Sequence, residues 1–211
     1  MKRILSLCLS LFLLGGMVGG LSSCASKGDP PPLEEVYDRI VRVVEASHEI
    51  NVLLFGEGLP VYPRGDAEDE LVHRYYSLAD DGREFVAPYA KYRSISEMKT
   101  AISAVYSVDY RHSLYETLFT GFADSDVVAT MPARYQEDER YLYQSQYVSP
   151  LVEGMRVYDY AAMELDEKVS HATRIRVGIP SYTESHPEEK ITVYLSFVFE
   201  NGDWYLDSPS C

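Results

Sequence analysis

The chain offers little that would name a reaction. No G-x-S-x-G elbow presents a serine, and no cysteine stands where a histidine could activate it. The five histidines, His48, His73, His112, His171 and His186, are scattered and none has H-E-x-x-H spacing. They read as surface or satisfied core residues, and the sequence calls for no metal and no cofactor. A Gly-rich phosphate loop is absent as well. Cationic charge is scarce: 19 Lys+Arg stand against 33 Asp+Glu, for a net charge of −14. That excludes nucleic acid as a partner, because holding phosphates needs clustered Lys and Arg. What the chain does have is 46% hydrophobic residues, enough to build a core and to exclude wholesale disorder. Its 211 residues fit one domain. Tyrosine is abundant, 18 residues against a single tryptophan.

Residues 1–23 read as an address. Lys2 and Arg3 form a basic start, and Ile4 to Leu14 is an apolar run. The run is shorter than the ~20 residues a membrane-crossing helix needs, so it reads as a secretory signal. Leu21-Ser22-Ser23-Cys24 resembles the bacterial lipobox: leucine, two small residues, then cysteine. The resemblance implies cleavage between Ser23 and Cys24 and a lipid on the Cys24 thiol. A doubly acylated anchor holds stably where one chain holds marginally. The expected location is the extracytoplasmic face of the cell membrane. Residues 24–32, rich in small and polar residues and ending in Pro30-Pro31-Pro32, form a stiffening tether. Cleavage removes two cations and no acid, taking the net charge from −14 to −16. It discards Cys8, and lipid occupies Cys24. Cys211 is then the remaining thiol, at a chain end that ordinarily frays, and no intrachain disulfide can form.

Residues 33–211 read as a single α+β domain. Leu33, Val36, Tyr37, Ile40, Val43, Val44, Ile50 and Leu54 recur at helical spacing, with Ser47 on the same stripe and Gly56 as the stop. Residues 63–70 form an acidic loop without the ligand spacing of a calcium site. Leu71 to Leu78 is a short element of either type. Ser94 and Glu97 fit a capping box, followed by Ile95, Met98, Ile102 and Val105 on one helical face. A third helix is expected from Tyr110 to Phe119, ended by Gly121. From about Ala133 the period falls to two. Residues 134–144 read as a hairpin, Ile175, Val177 and Ile179 alternate with Arg174 and Arg176, and Met155, Val157 and Asp159 share a face. Lys190 to Glu200 places Ile191, Val193, Leu195, Phe197 and Phe199 on one face, and Asn201-Gly202 closes a tight hairpin onto a last strand. Helices first and a meandering sheet afterwards predicts helices packed on a curved antiparallel sheet.

At fold level this layout resembles the NTF2-like or cystatin-like group. Four local features resemble small cell-wall-associated proteins of Firmicutes, a group that includes inhibitors of peptidoglycan DL-endopeptidases. They are Leu54-Phe55-Gly56-Glu57-Gly58-Leu59, Val105-Tyr106-Ser107, Arg134-Tyr135-Gln136 and Trp204-Tyr205-Leu206-Asp207-Ser208-Pro209. The resemblance implies a non-enzymatic binding or inhibitory module at the envelope, with a wall hydrolase as one candidate partner. The lipobox departs from a freely secreted inhibitor.

Two groups of residues are candidates for a site. Tyr135, Tyr141, Tyr143, Tyr147, Tyr158 and Tyr160 crowd into 26 residues. A tyrosine offers a flat apolar body and a polar tip, which suits wet interfaces, although strands also favour it for packing. An acidic, tyrosine-rich face fits a basic envelope protein better than an anionic wall polymer. Asp159, in line with apolar neighbours, is a candidate pocket carboxylate for the alternative reading: an NTF2-like enzyme or small-ligand receptor working in the sheet's concavity. At a strand end it would simply face water.

Overall fold

The computed structural model describes residues 28–62, 82–123, 130–146 and 156–210. The signal, Ser23 and Cys24, most of the tether, the acidic loop at 63–70, the element at 71–78, Tyr147, Met155 and Cys211 lie outside the described residues. Within them, the protein is α+β, with helices packed on curled antiparallel sheets.

Helix α1 spans Leu33–Phe55. Prolines precede it, and Glu34 and Glu35 in its first turn oppose the positive end of the helix dipole. Its apolar stripe is buried as expected: Val36, Ile40, Val43, Val44, Ile50 and Leu54, with Ser47 among them. Helix α2 (Ile95–Val105) starts where Ser94 Oγ accepts from the Glu97 N–H at 3.1 Å. The Glu97 carboxylate reaches back to the Arg93 N–H at 2.7 Å, one residue earlier than the box predicts. Helix α3 (Val108–Tyr115) begins two residues before Tyr110, because Ser107 supplies a cap that accepts from the Tyr110 N–H. It widens into a π turn, Glu116–Thr120, and Gly121, at φ +77°, turns the chain out of it.

The strands are β1 (Arg83–Phe85), β2 (Phe122–Ala123), β3 (Thr130–Met131), β4 (Tyr135–Glu137), β5 (Leu142–Ser145), β6 (Arg156–Tyr158), β7 (Glu164–Leu165), β8 (Arg174–Thr183), β9 (His186–Glu200) and β10 (Asp203–Leu206). The principal sheet runs β10-β9-β8-β6, with β7 beside β6 along the same edge of β8. A smaller sheet runs β1-β5-β4, and β2 pairs with β3. Every named pairing is antiparallel. The turn between β9 and β10 has positive φ at both Asn201 (52°) and Gly202 (86°), as a two-residue hairpin requires.

One face of the principal sheet is filled. Ile175, Val177 and Ile179 of β8, Leu195 and Phe197 of β9 and Leu206 of β10 form one core with the α1 stripe and with Met98 and Ile102 of α2. Burying each such side chain is worth about 1.5–3 kcal/mol. The expected five-residue apolar face of β9 is therefore shorter than its sequence: Ile191 and Phe199 are exposed beyond the helical cover. Conversely Val198, on the opposite face, is buried because its cross-strand neighbours are Arg174 on one side and Tyr205 on the other.

Candidate functional site

The four sequence features meet in two pairs. Arg134 of the third lies against the loop of the first, donating from Nη2 to the Gly56 carbonyl at 2.6 Å. Gln144, opposite Tyr135 in the ladder, accepts from the Leu59 N–H at 2.8 Å and donates to the Glu57 carbonyl at 3.1 Å. Gly58 is required there: at φ +85°, a Cβ would stand 2.2 Å from the Gln144 amide oxygen. Likewise Tyr106 bridges Leu206 in parallel, and the Ser107 N–H donates to the Leu206 carbonyl at 2.9 Å. These features hold the fold together.

The candidate tyrosines do not share a surface. Tyr135 is wholly buried beside the Arg134 guanidinium, and burial pushes its hydroxyl up from the ordinary tyrosine value. Tyr143 is also buried, packed with half-exposed Tyr141 against Phe85 and bonded to Asp138. Tyr158 is buried and stacks between His48 and Tyr160, at centroid distances of 5.8 and 6.0 Å. Its hydroxyl donates to the Ser210 carbonyl at 2.7 Å. Ser210 Oγ in turn pairs with Ser47 and accepts from Asn51, so the last described residue is seated under α1. Burial lowers the His48 pKa and raises that of half-buried Tyr160. The expectation of one tyrosine binding face is thus corrected: Tyr135 and Tyr158 pack into the main core and Tyr143 into a smaller cluster with Phe85, because successive strand positions turn their rings to opposite faces.

Asp159 is not a pocket carboxylate. The inward residue of β6 is Tyr158, opposite in parity to the expected face, and the strand ends there. Asp159 follows it, exposed, with its N–H donating to the Pro180 carbonyl at 2.8 Å. Among the described residues, no group of three His, Cys, Asp or Glu converges as a metal site.

An open groove lies on the other face of the principal sheet. It has a volume of about 600 Å³, floored by Gly178, Pro180, Thr192 and Tyr194 and walled by the segment carrying Leu165, Asp166 and Lys168. Even-numbered residues of β8 and β9 face outward here because odd-numbered ones fill the core. Gly178 and Tyr194 are direct cross-strand partners. A Cβ on Gly178 would stand 3.1 Å from the Tyr194 ring, so the absent side chain lets that ring settle over the strand. Tyr194 remains 57% exposed and offers its outer face to solvent. The Arg176 guanidinium lies 5.2 Å from the ring centroid and pairs with Asp166 from both Nε (3.0 Å) and Nη2 (2.5 Å). That bond holds the Asp166 carboxyl below the ordinary carboxylate range. Asp166 N–H also donates to the Arg176 carbonyl, and Ser170 Oγ accepts from the Arg176 N–H, so the wall is stapled to the floor. A second depression, of about 670 Å³, lies over α2, but it has no aromatic face, and its Glu137 already accepts from the Ile95 N–H.

The groove residues were legible by two signs: a glycine inside the Ile175-Val177-Ile179 alternation, and a tyrosine out of phase with the apolar face of β9. The groove suits an extended, partly apolar ligand that stacks on Tyr194 and meets charges of both signs at Glu164, Asp166, Lys168 and Arg176. No protein-family model, no curated protein and no solved structure matches the chain.

Proposed function

We propose that this protein is a non-enzymatic binding module of the cell envelope, held at the extracytoplasmic face of the membrane by lipid on Cys24. Its partner is a basic envelope protein, of which a cell-wall hydrolase is one candidate. The observation that carries the binding reading is the Tyr194 ring, exposed over Gly178 in a groove rimmed by charge. Exposed aromatic rings with polar rims are the usual anchors of protein recognition. The net charge of −14 favours a cationic partner and disfavours anionic wall polymer. The alternative reading, an enzyme or small-ligand receptor, would need open space on the helix-facing side of the sheet, where Ile175, Val177, Leu195 and Phe197 are buried.

Residues 25–211, immobilised and exposed to envelope proteins and to purified peptidoglycan, test the binding reading. A basic protein should be retained and peptidoglycan should pass. Tyr194→Ala should weaken retention by tenfold or more, about 1.4 kcal/mol. Retention unchanged by that substitution would place the contact elsewhere. The anchor has its own test: Cys24→Ala should release the protein to the medium or leave it unprocessed, and normal membrane retention after normal cleavage would defeat it.

A further inference from the structure

We propose that the free edge of β9, at Thr192 and Tyr194, takes an extended lysine- or arginine-bearing segment of the partner as an added strand; this rests on the reading that the partner is basic. The backbone of β9 alternates between its two neighbours. Phe199 N–H donates to the Thr173 carbonyl on the β8 side, and the Ser196 carbonyl accepts from the Asp207 N–H on the β10 side. The two-residue period then turns the N–H and C=O groups of Thr192 and Tyr194 to the β10 side. But β10 covers only Phe197 to Glu200, the Ser196 N–H donates to Ser208 Oγ at 3.1 Å, and beyond Ser208 the chain leaves the edge to seat Ser210 under α1. Among the described residues nothing pairs with Thr192 or Tyr194 on that side.

Edges of this kind are ordinarily guarded by charge, proline or a bulge. Here the guard stops short. Pro187 to Lys190 bulge out of the ladder, since Ser181 pairs with Ile191 while Thr183 pairs with His186. The regular run Ile191-Thr192-Val193-Tyr194-Leu195 that follows carries no charge and is rich in β-branched and aromatic residues. Ile191 is 50% exposed. Main-chain bonds along such an edge give affinity, and alternate side chains give selectivity.

Charge selects the occupant. Glu184, Glu188 and Glu189 stand exposed at the tip of the β8–β9 hairpin, and none takes part in the ion pairs among the described residues. A second copy of this chain would bring its own exposed glutamates to the same edge, and two chains of net −14 repel. A basic strand meets the glutamates instead. Its side chains opposite Thr192 and Tyr194 fall on the groove face, where a cation can approach the Tyr194 ring as Arg176 does from β8.

The test uses the full chain and a labelled synthetic nonapeptide of alternating lysine and valine, with the same peptide N-methylated at alternate residues as control. The unmethylated peptide should bind, and methylation of its bonding edge should weaken it by about tenfold or more, as the loss of two or more hydrogen bonds implies. Thr192→Pro, which removes a donor that β8 does not use, should weaken binding similarly while circular dichroism stays unchanged. Equal binding of methylated and unmethylated peptides would overturn the proposal whether or not the proline variant folds. So would failure of the unmethylated peptide to bind, or a dimer in sedimentation that Thr192→Pro abolishes. A basic envelope protein held equally by wild type and a folded Thr192→Pro variant, but released by Tyr194→Ala, would overturn the edge while sparing the binding module. Retention of no envelope protein by wild type would overturn both.

Discussion

Single residues carry burdens that their neighbours cannot share. Tyr158 is the clearest case, since its hydroxyl ends at the Ser210 carbonyl in a buried setting. Tyr158→Phe keeps the ring stack with His48 and Tyr160 and removes only that bond. An orphaned buried carbonyl costs about 1–3 kcal/mol, so urea unfolding should show a loss of that size. His48 and Asp166 make acid behaviour residue-specific. Burial favours the neutral imidazole, so the folded His48 pKa lies below the unfolded one. The unfolded chain therefore binds more protons as pH falls below the ordinary histidine value, and stability drops until the folded pKa is passed. Asp166, lowered by Arg176, contributes stability above the ordinary carboxylate value and loses it as pH falls through its depressed pKa. Stability against pH should thus fall in two steps; His48→Gln should remove the upper one, and Asp166→Asn should reduce the lower, to which Asp138, lowered by its bond from Tyr143, also contributes.

At the scale of elements, turn chemistry and periodicity decide most of what forms. The Asn201-Gly202 turn is an instance: a Cβ at Gly202 would meet nothing within 4 Å, so only its φ of 86° opposes a side chain. Gly202→Ala should therefore cost about 1 kcal/mol, the conformational term alone, readable as a shift in denaturation midpoint at unchanged slope. Helix α1, the Ser94 cap, the hairpin of β4 and β5 and the alternating faces of β8 and β9 were all legible in the sequence, because each rests on local spacing. The early start of α3 was missed because Ser107 caps it from within a segment that also bridges β10, a partner 100 residues away. The face of β6 was read with reversed parity, because three residues give no period strong enough to fix which side is inward. The tyrosine crowding was visible, but whether a ring packs or projects depends on the strand lying opposite, and so Tyr135 and Tyr143 are core while Tyr89 and Tyr194, both well outside the crowd, are exposed.

For the whole molecule, the proposed function rests on an asymmetry between the two faces of one sheet. The face toward α1 is closed by aliphatic packing, and the other carries the groove, the exposed ring and the unguarded stretch of edge. On the proposed reading a cationic partner would be drawn to this acidic molecule, an attraction that acts over about a Debye length. The central claim, that the outer face binds a basic envelope protein, is tested most directly by titrating the partner retained on residues 25–211 against wild type and Tyr194→Ala at low and high ionic strength. The account predicts micromolar or tighter binding at low salt, weakening as salt rises, with Tyr194→Ala weaker at both. Binding indifferent to salt and to Tyr194, or retention of peptidoglycan in place of any protein, would contradict it.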